Sequence, residues 1–417
     1  MGDLTEAVMD ARYRNSFGRI AGYLPENRQA VEAWLTGFAG QALERKEELS
    51  SSVAALKQVI KADGSIQMLV DGMLEKLPRQ LRFFEGIDHL LKCVDQVITT
   101  APEYHPDPNE RILFPLSALF APLSLTPPGA AVLRMPAFNT ALRNVLKAWC
   151  VFLDSAQSRY VLTETGNGWL AAQSVEQNKL DQYVIPDRTA EHWGFASFND
   201  FFHRKVKPEA RPIATDPNAV IASGDAAYVR VDQNVGKSAG KSAGFPLKGQ
   251  GYTLAEMFNH HAYADQFIGA SVVQLVPPAM GYHRWHSPVD GVVRHVETIP
   301  GQVFSVAESS GPALAAQDVS FSAEVAANTR GLIFIESTAP RIGMVALVPV
   351  GMSEVSSVTI TANQGQEVKK GDEIGYFSYG GSDIVMVFQK QSNVTVLPNA
   401  DKHYRVGEQI ALAHLTS

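Results

Sequence analysis

Three short clusters hold the residue types that could do chemistry. The first is Gly281-Tyr282-His283-Arg284-Trp285-His286-Ser287-Pro288, with two histidines three positions apart. The second is Gly380-Gly381-Ser382-Asp383, a double glycine before a serine that leads into the apolar run from Ile384. The third is Ala222-Ser223-Gly224-Asp225, an acid at a glycine turn. Together they supply a serine nucleophile, a histidine base and a carboxylate that could orient the base. That set of types would suit a Ser–His–Asp hydrolase or acyltransferase, although no G-x-S-x-G elbow surrounds Ser382. A zinc site would need a third ligand near the histidine pair, and the chain has only two cysteines, Cys93 and Cys150. The bland alternatives are a satisfied structural histidine, a Gly-Gly-Ser turn and an Asp-Gly turn.

The run Tyr-His-Arg-Trp-His-Ser-Pro at 282–288 resembles the phosphatidylserine decarboxylase superfamily of pyruvoyl enzymes, nearest the soluble branch that includes fungal tryptophan decarboxylases. Also similar are Phe195-Ala196-Ser197-Phe198-Asn199-Asp200-Phe201-Phe202-His203-Arg204, Ala210-Arg211-Pro212-Ile213, Lys248-Gly249 with Tyr252-Thr253-Leu254, and Gly351-Met352-Ser353-Glu354-Val355-Ser356. The resemblance implies self-cleavage: Ser382 attacks the Gly381 carbonyl, and ester formation, β-elimination and hydrolysis leave a pyruvoyl group at residue 382. His286 is then the general base, Asp225 orients His286, and His283 serves decarboxylation or reprotonation. The substrate amine forms a Schiff base with the pyruvoyl ketone, which replaces pyridoxal phosphate, and no metal is required. Gly-Gly before the serine suits a strained backbone. At Asp383 the chain departs from the family's Thr or Ser. A carboxylate there either assists proton transfer or opposes the oxyanion.

The resemblance implies a free amino acid, such as an aromatic one, as the substrate. Phosphatidylserine, giving phosphatidylethanolamine, is the alternative. A catalytically silent binding protein is the reading of another class. Tyr282 and Trp285, with Phe377 and Tyr379, are candidates to line an aromatic substrate pocket, with Glu354 for a polar group; core packing and solvation are the competing readings. Partners are then the amino acid, the large and small chains of one precursor, and a second copy in a homodimer.

The elements that must position these residues divide near residue 190. Apolar residues at helical spacing mark Arg28–Arg45, Ser50–Lys61, Ile66–Leu77, Gln80–Val97 and Asn139 to about Leu162. A Pro-rich stretch from Pro102 to Pro136 interrupts, with Pro127-Pro128-Gly129 as a breaker. After 190, Ala270–Val276, Gly291–Glu297, Arg330–Glu336, Met344–Pro349, Ile384–Gln389 and Val394–Leu397 read as strands, and Tyr252–His261 as a helix. The expected fold is α+β: a helical accessory domain, 1–190, then a β-rich decarboxylase domain, 191–417. Glycine-turn segments at Ser287–Val303 and Asn363–Phe377 echo each other like barrel-sandwich hairpins, but no exposed lysine tripeptide marks a carrier.

Composition excludes other classes. The 417 residues are 45% hydrophobic and 19% charged, with net charge −7, which favours neither nucleic acid nor an anionic membrane. No apolar run reaches the ~20 residues of a spanning helix. The N-terminus lacks a secretory h-region, and Glu6 stands where a Gly2 myristoylation signal needs Ser or Thr. Few cysteines suit a reducing cytoplasm. The Gly236–Gly244 repeat lacks the first glycine of a Walker A motif and reads as a loop, as does Glu308–Gln317.

Overall fold

The computed structural model describes residues 24–25, 27–236, 245–247, 250–304, 325–352, 354, 356–397 and 403–414. Gly2, the repeat after Gly236, Lys248-Gly249, Glu308–Gln317, Ser353 and Val355 lie outside the described residues.

Helices dominate up to residue 202: α1 (Arg28–Glu44), α2 (Ser51–Ala62), α3 (Gly64–Glu75), α4 (Ile87–Ile98), α5 (Pro115–Ser124), α6 (Pro127–Val132), α7 (Pro136–Leu153), α8 (Ala172–Gln177) and α9 (Phe198–Phe202). Each of the longer helices buries one stripe. In α7 the stripe is Phe138, Leu142, Val145, Leu146, Trp149 and Leu153. Such side chains stabilise by about 1.5–3 kcal/mol each when fully buried. Side-chain oxygens cap several starts: Asn27 accepts from Ala30 N, and Asp63 from Ser65 and Ile66 N.

The Pro-rich stretch is not the interruption its composition suggests. Pro115, Pro127 and Pro136 each occupy a first helical position, where the missing N–H would have had no partner and the fixed φ suits the helix. Thr126 caps α6 by accepting from Gly129 N. The helix expected over Tyr252–His261 is limited to α10 (Leu254–Met257), a capping box of Thr253 and Glu256. Asn259 and His260, both at positive φ, end it.

Strands follow from Ala219 onward. The largest sheet has eight strands in the order Glu367–Val368, Gly291–Ile299, Arg330–Ser337, Met344–Met352, Gly381–Phe388, Ala270–Val276, Ala226–Val235 and His403–Tyr404. All its described pairings are antiparallel. The two echoing glycine-turn segments meet here, with Glu367 opposite Val292 and Val368 opposite Gly291. A small sheet sets Arg284–His286 against Glu373–Tyr376.

Side chains alternate across the Gly381–Phe388 strand. Ile384, Met386 and Phe388 join one core with Val220, Trp285 and Ile374. Val385 and Val387 join another, which runs on into the helices through Leu123, Leu146 and Trp149. The α+β architecture of helical N-terminal part and curled antiparallel sheet is what the residue pattern predicts.

Candidate active site

Ser382 is the second residue of a strand paired on both edges. It lies opposite Gly351, and further along the strand Ile384 lies opposite both Pro349 and Leu275. It is buried, and its Oγ has no hydrogen-bond partner. The turn that delivers it needs glycine at 380. There φ is 143°, and a Cβ would come within 2.1 Å of the Glu354 carbonyl oxygen.

Strand alternation separates Ser382 from its neighbour. Ser382 shares its face with Ile384 and Met386, while Asp383 shares the opposite face with Val385. Gln274 Nε2 donates to Asp383 Oδ2 at 2.5 Å, and Oδ1 has no partner. Burial raises the Asp383 carboxyl to about 7, against the lowering effect of that bond. This placement keeps the Asp383 carboxyl out of direct contact with the serine hydroxyl. The carboxyl points away from the face that carries the serine hydroxyl.

On the serine's face, the Ser223–Asp225 turn bridges to the histidine strand. Ser223 Oγ donates to Met386 Sδ at 3.2 Å, and the Ser223 carbonyl accepts from His286 N at 2.8 Å. A Cβ on Gly224 would strike Ile384 Cδ1 at 2.6 Å, so the turn packs directly on the serine's strand. His286 is buried, and burial lowers its pKa. Its Nδ1 lies 2.7 Å from the Gly371 carbonyl, which requires Nδ1 to carry the proton. Tyr282 Oη then donates to Nε2, also at 2.7 Å.

Asp225 does not hydrogen-bond His286. Its carboxylate takes Arg211 through Nε, 3.0 Å from both oxygens, and through Nη2 at 2.5 Å, and it accepts from Val406 N. The expected orienting bond is thus made by the Gly371 carbonyl, and Asp225 acts on His286 only through its charge, which favours the imidazolium. Nor does His286 hydrogen-bond Ser382, because both ring nitrogens are engaged elsewhere.

His283 stacks on Phe202 with ring centroids 4.0 Å apart and donates from Nε2 to the Ala279 carbonyl. Its buried Nδ1 has no partner. Burial pushes its pKa down to about 3, so it is neutral wherever the protein is folded near pH 7, unlike an ordinary histidine.

The substrate-lining candidates divide. Trp285 is wholly buried in the core against Gly375, where a Cβ would fall 2.0 Å from the indole. It therefore packs rather than binds. Tyr282 holds His286 and borders a cavity of about 300 Å³, together with Tyr183, Arg211, Asp225, His403 and Arg405. Glu354 is not a solvated acid. It is fully buried, accepts from Ser117 N at 2.6 Å in the first turn of α5, and is raised to about 8 by burial. Its Oε2 has no partner.

Tyr379, expected as an aromatic that could line a substrate pocket, is wholly buried and anchored beside the scissile turn. Its N–H donates to Asn199 Oδ1 at 2.9 Å and its hydroxyl to the Leu113 carbonyl. The rings of Phe114, Trp149, Phe198 and Phe202 surround it at 5.3–6.0 Å. Its only sequence signal is an aromatic residue three positions before the serine.

Among the described residues, no group of three or more His, Cys, Asp or Glu is placed to hold a metal, and no helix is long and apolar enough to cross a membrane. The family profile described as phosphatidylserine decarboxylase matches residues 198–412, and a second profile of that description matches 50–178. Decarboxylase iboD of Amanita muscaria is 33% identical over 352 residues, covering 77% of this chain and 99% of that protein. The L-tryptophan decarboxylase of Psilocybe cubensis is 27% identical over 415 residues, covering 94% of this chain and 89% of that protein. Phosphatidylserine decarboxylase proenzyme 3 of Schizosaccharomyces pombe is 33% identical over 204 residues, covering 48% of this chain and 19% of that protein. With the Ser382 turn and the 282–288 histidine run inside the matched region, the chain belongs to the phosphatidylserine decarboxylase family and is a decarboxylase.

Proposed function

We propose that this chain is the precursor of a pyruvoyl-dependent decarboxylase of a free amino acid, with aromatic amino acids such as tryptophan as the substrate class. The observation that carries the reading is Ser382: a buried hydroxyl without a partner, placed after a glycine turn at the start of a central strand. The relatives matched along most of the chain include one named for tryptophan, whereas the phosphatidylserine enzyme quoted matches only about half of it.

In the self-cleavage, Ser382 Oγ attacks the Gly381 carbonyl carbon. The C–N bond breaks, nitrogen gains the proton given up by the serine hydroxyl and becomes a free amine, and an ester joins Gly381 to the serine oxygen. Loss of the Ser382 Cα proton expels the Gly381 carboxylate. Water then adds to the dehydroalanine left at residue 382, ammonia departs, and a pyruvoyl group remains. His286 Nε2 is the base, and it must part from the Tyr282 hydroxyl to take the serine proton. The Asp225 charge favours the resulting imidazolium.

The pyruvoyl group supplies an electron sink for the carbanion left by CO₂ loss. His283, neutral and with a buried Nδ1 that has no partner, is suited to offer the substrate a hydrogen-bond acceptor rather than a charge. The two product chains stay together because the small chain's first strand is paired on both edges by strands of the large one. A Ser–His–Asp hydrolase would also need Asp225 to orient His286, and Asp225 is held by Arg211 instead.

Intact-mass measurement of purified protein tests the proposal. Two fragments, 1–381 and 382–417, with the smaller one deficient by the conversion of serine to pyruvoyl, are expected, and Ser382→Ala should leave one uncleaved chain. CO₂ release assayed across free amino acids and phosphatidylserine vesicles should favour an aromatic amino acid. Turnover by a single intact chain overturns the mechanism, and release from phosphatidylserine alone overturns the substrate class.

A further inference from the structure

The helical half does more than enlarge the core. It reaches the scissile turn by two routes, directly at Tyr379 and indirectly through Glu354, which follows the Met344–Met352 strand. On the direct route, Tyr379 stands two residues before the carbonyl that Ser382 attacks. Its hydroxyl donates to the Leu113 carbonyl, and its ring lies against Phe114 and Trp149 of the helical half and against Phe198 and Phe202 of α9. On the indirect route, the Glu354 carbonyl packs against Gly380, so closely that no Cβ fits, while the Glu354 carboxyl caps the first turn of α5 through Ser117 N. Strand pairing then holds both residues of the scissile bond, Gly381 opposite Met352 and Ser382 opposite Gly351. The bond to be broken therefore lies at the very start of a strand held by the sheet, and the segment just before it, Tyr379-Gly380, is held from the helices.

We propose that the helical half is a built-in positioning device for self-cleavage, in which Leu113 and Ser117 hold Tyr379 and Glu354 so that the Gly381 carbonyl is presented to Ser382. This rests on the reading of Ser382 as the self-cleaving residue. Attack by a neighbouring hydroxyl depends steeply on the approach of oxygen to carbonyl carbon, and an ångström of slack can cost about 100-fold in rate. The Gly380-Gly381 pair is flexible by composition, so rigidity must be imposed from outside it. Tyr379 and Glu354 are positioning residues in this scheme: they act through the backbone of residues 379–381 and take no proton from the serine.

The experiment is a time course of precursor conversion in cell-free translation of the full chain, read as the 1–381 fragment on gels. Tyr379→Phe removes the bond to Leu113 and leaves the ring in its cage. Glu354→Ala removes the cap on α5, whereas Glu354→Gln keeps an acceptor for Ser117 N. The expected result is conversion slowed about tenfold or more in Tyr379→Phe and Glu354→Ala and restored towards the wild-type rate in Glu354→Gln. Recovery of the conversion rate in Glu354→Gln, which keeps the acceptor but not the acid, separates positioning of the turn from a general loss of stability. Conversion of both slow-class variants at the wild-type rate overturns the inference. So does a Glu354→Gln protein as slow as Glu354→Ala. A wild-type chain that never cleaves at 381–382 overturns the underlying reading instead, which separates the two failures.

Discussion

The Tyr282 hydroxyl donates to His286 Nε2 at 2.7 Å while the opposite ring nitrogen donates to the Gly371 carbonyl. Nε2 is thus the unprotonated ring nitrogen, and it is engaged by Tyr282. Tyr282 stabilises the neutral ring and so adds to the effect of burial, which lowers the His286 pKa.

Self-cleavage through neutral His286 should hold its rate as pH falls below 6.5 and fail only at the depressed pKa. Tyr282→Phe removes a bond made to the neutral form, so the acidic limb of the rate profile should move to higher pH. Processing rates between pH 4 and 8 check this, and an unmoved limb counts against His286 Nε2 as the base.

Asp383→Asn should leave processing within about threefold of wild type, because the carboxyl faces away from the serine. Its folded pKa of about 7 lies above the unfolded value. Its contribution to stability is therefore greatest at low pH, falls as pH rises from about 4 to 7, and is flat beyond. The neutral amide escapes that loss, so the melting advantage of the variant over wild type should be larger at pH 8 than at pH 5. Calorimetry at both values decides it.

His283 has the opposite sign. Its folded pKa of about 3 lies below the unfolded value, so the unfolded chain takes the proton first as pH falls. Stability present above pH 6.5 is lost towards pH 3 at about 1.4 kcal/mol per pH unit. His283→Gln should flatten that slope by about one proton in urea titrations at pH 7 and 5, and should lower CO₂ release by about tenfold or more.

Gly380→Ala should be severe. The residue sits at φ 143° and its new methyl would overlap the Glu354 carbonyl. A cost of about 2–4 kcal/mol is expected, with conversion to fragments lowered at least 100-fold. Equal conversion in a time course would show that the turn relaxes freely.

The strands were legible because their Val- and Ile-rich runs and glycine turns are local signals, and the long helices because their apolar stripes recur at 3.6-residue spacing. Residue types also pointed to Ser382, His286 and His283, since chemistry restricts which side chains can serve. The partners were another matter. Asp225 looks like an orienting acid until Arg211 is seen to hold it, and the prolines at 115 and 127 look like breakers until each proves to start a helix. Trp285 and Glu354 could be assigned to core and cap only once burial was known. Tyr379 meets Leu113 across 266 positions of chain. The residues themselves decided which groups are able to react. Their spatial partners decided which of those groups are neutral, held or facing the scissile bond, because hydrogen bonding and desolvation depend on neighbours that chain order does not specify.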